Sequence, residues 1–190
     1  MSKYPLGTLD FELVQNTIFD WIRLVSEGVI PDEESIIWRQ QSEPLPPRPC
    51  VAMRFVYGPS PIARSANMHM NPGLPYVTMG MQYEATLSIQ VYGNTRIHRP
   101  MAYQLGIDLL SSLMQQTVLD QLKQGGVSVQ GLGRVQNVTA LEESEYEERS
   151  ALEIQLGLAQ NVRDKPATIG TVNLSGEASE IEVTREIILP

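Results

Sequence analysis

The chain has little of the chemistry that marks secreted, membrane or disulfide-linked proteins. It contains one cysteine, Cys50, and no apolar run long enough to cross a bilayer. A single cysteine excludes an internal disulfide framework, and in an apolar stretch it is expected to pack as a small hydrophobe. The first residues, Met1–Pro5, lack the apolar stretch of a signal peptide. We therefore expect a protein made in a cytoplasm, with no membrane partner.

Residues that carry catalysis or bind metals are also scarce. The two histidines, His69 and His98, do not stand at the spacing of metal ligands, and neither has an evident catalytic partner. No G-x-S-x-G motif occurs, and Gly131-Leu132-Gly133 lacks the third glycine of a dinucleotide-binding loop. We expect no catalytic residue, no metal site and no cofactor. A small-molecule enzyme is the least favoured alternative.

Basic residues are few, and the acidic ones are unevenly spread. The formal net charge is −8, and residues 141–190 alone hold eleven acidic against four basic residues. Affinity for phosphates comes mainly from lysine and arginine. The chain is therefore expected to repel DNA rather than bind it.

Five glutamates fall within seven residues near the start of this acidic third: Glu142, Glu143, Glu145, Glu147 and Glu148. The run lacks the aspartates and the glycine at fixed positions that a Ca²⁺ loop needs. A solvated loop and a repelling surface both fit it, because charge runs are commonly solvated.

Apolar periodicity predicts the main elements. Three-and-four spacing predicts a helix from Asp10 to Glu27, capped by Thr8 or Asp10 and ended by Gly28. Strict alternation predicts two long strands, Met81–Val91 and Ser150–Leu158, which are expected to pair with each other. Further helices are predicted at Pro100–Gln116 and Val118–Lys123, and further strands at Ile36–Trp38, Cys50–Tyr57, Val127–Val129 and Val135–Leu141.

These elements predict an α+β fold, with a mixed or antiparallel sheet and two main helices packed on one face. We place a single domain at residues 1–163 and an extended C-terminal segment at 164–190. The last stretch, Ile181–Ile188, has no obvious partner in the chain. It either closes this chain's own sheet or adds to a neighbour's sheet edge.

The stretch from Arg39 to Pro49 contains four prolines between two predicted strands. Proline fixes φ and keeps the preceding residue extended, so this segment should expose its side chains. It either connects two strands or forms a contact surface. We predict a subunit contact made by Trp38, Arg39, Gln40, Gln41, Pro46 and Pro47, against the alternative that Trp38 fills the core.

Residues 58–80 contain four prolines, three glycines and three methionines without a clean period. They predict a long loop or an irregular hairpin. Adaptable methionines suit an irregular partner surface. We predict an arm that orders against a neighbour through Met68, Met70, Pro72, Pro75 and Tyr76.

Several short motifs follow one another in a recognisable order. Ile37-Trp38-Arg39-Gln40-Gln41 precedes Pro44-x-Pro46-Pro47-x-Pro49, and the long strand ends in Val91-Tyr92-Gly93. A helix then carries Leu109-Leu110, and Glu147-Glu148-Arg149-Ser150-Ala151 enters the late strand. Over roughly residues 10–160 this order resembles the neck or tail terminator (tail completion) proteins of tailed bacteriophages.

The resemblance implies a structural protein of the virion tail or neck, made in the host cytoplasm. It implies a ring of copies of the chain, usually a hexamer, that caps the tail tube and stops its growth. The implied partners are the tube protein below, the head–tail connector above, and DNA that passes through without specific binding. We also predict Arg149 at the subunit interface and, from the concentration of charge, some of the five glutamates at the DNA channel or its rim. The alternative is another head–tail joining or tail tube ring component.

Overall fold

The structure, a computed structural model, describes residues 9–39, 44–64, 69–70, 77–94, 101–142, 145–164, 171–174, 177–178, 181–182 and 185–188. Over these residues the helices are α1 (Phe11–Ser26), α2 (Met101–Ser112) and α3 (Gln116–Gln124), with a 3₁₀ turn at Glu33–Ser35. The strands are β1 (Ile36–Trp38), β2 (Cys50–Arg64), β3 (His69–Met70), β4 (Val77–Tyr92), β5 (Val127–Leu132), β6 (Gln136–Asn137), β7 (Ala140–Glu142), β8 (Glu145–Glu147), β9 (Arg149–Asp164), β10 (Thr171–Leu174), β11 (Glu177–Ala178), β12 (Ile181–Glu182) and β13 (Arg185–Ile188).

Helix α1 forms where the periodicity predicts it. Of the two proposed caps, Asp10 is used: its Oδ1 accepts a hydrogen bond from the amide of Leu13 at 3.0 Å. Thr8 lies outside the described residues. Gly28 follows the helix with φ of 78°, a conformation that glycine adopts without steric cost.

The main sheet is mixed, in the order β1-β2-β4-β9-β5, with β3 added on β4 and β6 on β9. Strand β1 runs parallel to β2, and the other neighbours pair antiparallel. Strands β4 and β9 pair from Val77↔Asp164 to Tyr92↔Arg149. The predicted pairing of the two alternating strands is confirmed, and so is the α+β class.

Alternation along the strands sends every second side chain to one face, where the helices cover them. All three helices of the described residues pack there, around one apolar core. At its centre the indole N–H of Trp21 donates to Ser112 Oγ at 2.9 Å and joins α1 to α2. The core includes Val14, Ile18, Trp21, Ile22, Val51, Met53, Ala85, Leu87, Ile89, Val91, Leu105, Leu109, Leu122, Leu152, Ile154, Leu156 and Leu158.

The second predicted helix ends earlier than its apolar pattern indicates. It stops at Ser112, where the amides of Met114 and Gln115 bond to the carbonyls of Ser111 and Ser112. This turn buries Leu113 in the core and lets α3 begin in a new direction. Periodicity alone does not show such a break, because Leu113 fits the stripe of either arrangement.

Of the two alternatives for residues 58–80, the irregular hairpin is confirmed over the described part. Strand β2 continues to Arg64 and pairs with β4 as far as Arg64↔Met81. Its register shifts three times, around Tyr57, Ser60 and Ala63. Pro59 and Pro61 lie in this stretch and have no N–H to donate to the ladder.

The C-terminal stretch pairs with itself. Strand β10 pairs with β13 from Thr171↔Ile188 to Leu174↔Arg185, and β11 pairs with β12. Ile181–Glu182 and Arg185–Ile188 therefore have strand partners within the chain, β11 and β10, which the sequence did not make obvious. Alternation marks a strand, but it does not show which strand lies beside it.

Candidate subunit interface

The proline segment, Pro44–Pro49, belongs to the return connection between β1 and β2. Because these strands are parallel, with Ile36 beside Val51 and Trp38 beside Met53, the chain must travel back after β1 before β2 begins. Leu45 of the segment packs on the sheet face opposite the helices. The segment thus covers one end of that face, and it finishes at a cis peptide bond before Pro49.

Under the proline segment lies a second, small apolar cluster. It contains Cys50, Ala52 and Tyr92, all buried, with Ile37 and Leu45 packed against them. The residues that alternate with these along the strands belong to the main core. The sheet is therefore buried on both faces at this end.

Burial raises the pKa of the Cys50 thiol to about 11, with a smaller contribution from the nearby Glu147 carboxylate. The ordinary value is 9.0. The thiol is therefore neutral at physiological pH. Burial of the neutral thiol therefore contributes its full stabilisation below pH 9. This stabilisation is lost as the pH rises towards 11, because the thiol of the unfolded chain ionises first.

At pH 8 native Cys50 should react with a disulfide reagent about 100-fold more slowly than in the unfolded chain, because a two-unit rise in pKa removes that much thiolate. Absorbance of the released thiol follows the reaction. The same chain in urea is the control, and Cys50 is its only cysteine. Equal rates in both states would contradict the buried placement.

Two of the predicted interface residues, Arg39 and Arg149, meet at Tyr92. The guanidinium of Arg149 lies 5.0 Å from the Tyr92 ring centre and donates to Gln90 Oε1 at 2.6 Å. Arg39 Nη1 donates to the Tyr92 hydroxyl at 3.2 Å, and this hydroxyl donates to Gln90 Oε1 at 2.9 Å. We call these four side chains the Tyr92 network. It fixes both guanidinium groups on the sheet face opposite the helices.

A cavity of about 170 Å³ opens beside the Tyr92 network. Three arginines from three different strand positions reach it: Arg39 after β1, Arg54 in β2 and Arg149 at the start of β9. Gln90, Ala52 and Met53 complete its lining. We call this cavity the arginine pocket.

Trp38 lies on the other face of the sheet. It is half-buried against the main core and stacks on Phe55, with ring centres 5.2 Å apart and planes at 17°. Phe11 of α1 continues the contact, 5.2 Å from Phe55. Trp38 therefore makes packing contacts within its own chain.

An open groove of about 590 Å³ runs along the β1 edge of the sheet. Pro46 lines it and is half-buried, whereas Pro47, also predicted at the interface, is exposed. Its lining, which we call the edge groove, is Ile36, Ile37, Trp38, Pro44, Leu45 and Pro46. Gln40 and Gln41 lie outside the described residues.

The glutamate run forms a hairpin, β7–β8, whose pairs include Glu142↔Glu145 and Ala140↔Glu147. Glu147 is buried, and its Oε1 accepts a charge-assisted hydrogen bond from Arg48 of the proline segment. This contact ties the end of the hairpin to the connection that covers the small cluster. Glu143 lies outside the described residues.

Glu148 is also held within the chain. Its Oε1 accepts a hydrogen bond from the amide of Ala102 at 2.8 Å, in the first turn of α2. The Ala102 carbonyl in turn accepts from Ser150 Oγ at 2.7 Å. Glu147 and Glu148 thus have structural contacts within the chain that the run of charges in the sequence did not indicate.

Comparison with protein families identifies the chain. A sequence model of phage neck terminator proteins matches residues 13–182. The chain belongs to this family. Comparison with curated proteins gave no match.

Membership of the neck terminator family confirms the resemblance drawn from the motif order. It makes the protein a structural component of a phage neck or tail. The match extends beyond residue 160, where that resemblance ended, and takes in the C-terminal strands β10, β11 and β12.

The predicted arm of this neck terminator falls mostly outside the described residues. Met70 lies in β3 and pairs with Val77, whereas Met68, Pro72, Pro75 and Tyr76 are not described. Sequence analysis missed Gln90, Tyr92 and Arg54, although the aromatic-glycine pair Tyr92-Gly93 had marked the end of a long strand. Arg54, on the same strand face as Cys50 and Ala52, gives no local signal.

Within the described residues of the neck terminator, no helix is long and apolar enough to cross a membrane. The same residues contain no group of three or more histidine, cysteine, aspartate and glutamate side chains that could hold a metal ion.

Proposed function

We propose that the chain is the ring-forming tail terminator of its phage. Copies close into a ring, a hexamer, that caps the tail tube, stops its growth and joins it to the head connector. The family match over residues 13–182 carries this proposal. The fold supports it through a sheet edge, β1, that pairs with no further strand of the described residues, and through a charged sheet face.

The edge groove is the proposed apolar part of the subunit contact. Over the part of the chain that the structure describes, strand β1 ends the main sheet, and its outer backbone groups have no strand partner there. The prolines beside it are pre-ordered, so binding there costs little conformational entropy. We place Trp38, Pro46 and Pro47 at or beside this contact, together with Gln40 and Gln41.

The Tyr92 network is the proposed polar part. Arg39 and Arg149 are held by an aromatic ring and an amide, and arginine is enriched at protein interfaces. Their fixed geometry suits a specific contact on the sheet face.

The hairpin β7–β8 is proposed to face the DNA channel or its rim through Glu142, Glu143 and Glu145. Carboxylates there would repel the phosphate backbone and let the genome slide past. Glu147 and Glu148 anchor this hairpin to the proline segment and to α2. The arm that includes Met68, Met70, Pro72, Pro75 and Tyr76 is proposed to contact the tube below or the connector above.

Placing a charge in the edge groove tests the proposed contact. Pro44→Glu changes an exposed groove residue and should weaken ring assembly about ten-fold, because an unpaired carboxylate would be desolvated at the contact. Its melting temperature should stay unchanged. Sedimentation velocity measures the assembly, and tail-tube length in the presence of the protein measures capping.

Asn16→Glu is the matched control, since it adds the same charge at an exposed position of α1. It should assemble like the unmodified chain. Normal assembly and capping by Pro44→Glu would place the subunit contact elsewhere.

A further inference from the structure

The arginine pocket gathers positive charge on a chain that is otherwise acidic. Arg39, Arg54 and Arg149 line one cavity of about 170 Å³, although they are far apart in sequence. Strand pairing brings them together: Arg54 lies opposite Ser88 of β4, and Arg149 lies opposite Tyr92 of the same strand. The net charge of the whole chain is −8.

The pocket is pre-organised to bind an anion. The Tyr92 ring and Gln90 hold Arg149, and the Tyr92 hydroxyl holds Arg39. A guanidinium group fixed in this way loses little freedom when it binds, and its planar donors match a carboxylate.

The hydrogen bonding of the pocket is incomplete among the residues that the structure describes. The Nε of Arg149 is buried and has no hydrogen-bond partner among the described residues. Over the same residues, the ion pairs involve Arg23, Arg48 and Lys123, and none reaches the three pocket arginines. Buried donors are normally satisfied, and neighbouring like charges favour an anion between them.

We propose that the arginine pocket binds a carboxylate from a second copy of this chain, supplied by the acidic turn Asp32–Glu34. This inference rests on the proposed ring. The turn is exposed and precedes the edge strand β1. It shares its surface with Asp20, Glu27 and Arg23, and Arg23 pairs with Glu33 of the turn, so we assign the contact to the carboxylates of Asp32 and Glu34.

Opposite charges on two surfaces of one chain favour a head-to-tail contact between copies, the type of contact that closes into a ring. A DNA phosphate is the competing ligand. DNA binding needs basic groups along a backbone track, whereas this pocket has the size of one small anionic group, and the chain as a whole is acidic.

Arg54→Glu tests the pocket without removing any member of the Tyr92 network. Arg54 is exposed, so its replacement should leave the fold intact. Assembly should then need about ten-fold more protein at physiological salt, as mass photometry would show. Arg134→Glu, at another exposed arginine, should assemble like the unmodified chain.

Mixing variants tests the partner surface. Asp32→Lys with Glu34→Lys should likewise need about ten-fold more protein to assemble alone, but an equimolar mixture with Arg54→Glu should form rings at the normal concentration, because each contact then joins opposite charges. Normal assembly of Arg54→Glu, or no recovery in the mixture, would overturn the proposal while leaving the ring in place.

Two measurements on the unmodified chain, its binding of duplex DNA and its oligomeric state, separate the remaining alternatives. Tight binding of duplex DNA by the unmodified chain, lost in Arg54→Glu, would make the pocket a phosphate site and overturn the carboxylate proposal. An unmodified chain that stays monomeric both alone and on tail tubes would overturn the ring, and the pocket proposal with it.

Discussion

Trp21→Ala is expected to lower the free energy of unfolding by about 4 kcal/mol. Trp21 is 1% exposed at the centre of the core, and its indole N–H bonds Ser112 across the two helices. Removing it leaves a large cavity and a buried hydroxyl with one partner fewer. Urea unfolding followed by circular dichroism measures the loss.

Leu24→Ala is the matched control on the same helix. Leu24 is 54% exposed, so its truncation should change the stability by no more than about 0.5 kcal/mol. Trp21→Phe should fall between the two, since it keeps an aromatic ring but removes the donor. A loss below about 1 kcal/mol for Trp21→Ala would contradict the packing of α1 on α2.

Glu147→Gln is expected to lower the free energy of unfolding by about 2 kcal/mol. It removes the carboxylate that accepts the charge-assisted hydrogen bond of Arg48, and breaking a buried pair costs about 3–5 kcal/mol. The Arg48 side chain is 35% exposed, so water compensates part of this cost. Urea unfolding at neutral pH measures the difference.

Glu153→Gln removes a carboxylate from an exposed position of the neighbouring strand β9 and serves as the control. It should change the stability by less than about 0.5 kcal/mol. If both variants behaved alike, Glu147 would have no structural role, and the channel assignment of the whole glutamate run would regain support.

Much of the fold could be predicted because local patterns encode it. The three-and-four spacing of α1 and the alternation of β4 and β9 each describe a surface that must be buried, so element type and even the β4–β9 pairing followed. The end of α2 at Ser112 could not be predicted, because Leu113 continues the apolar stripe although the backbone turns there.

The arginine pocket could be predicted only in part. Arg39 and Arg149 were named from the motifs that contain them, but their meeting at Tyr92 depends on the registers β1–β2 and β4–β9. The register depends on the packing of the whole sheet, and the sequence of a single strand does not determine it. Arg54 joins them through the register of β2 with β4.

Long-range pairing also explains the other features of the structure that the sequence did not predict. In the sequence, Glu147 is one of several glutamates in an acidic run. Its contact with Arg48 could not be predicted, because Arg48 lies 99 residues earlier in the chain. The stretch that contains β12 and β13 was predicted to be extended, but its pairing with β11 and β10 was not predicted.

Particle imaging of the purified protein, alone and with tail tubes, tests the central claim most directly. The account predicts a closed ring of copies with a central channel wide enough for DNA, seated on the end of each tube. Compact monomers in solution together with bare, overlong tubes would contradict it.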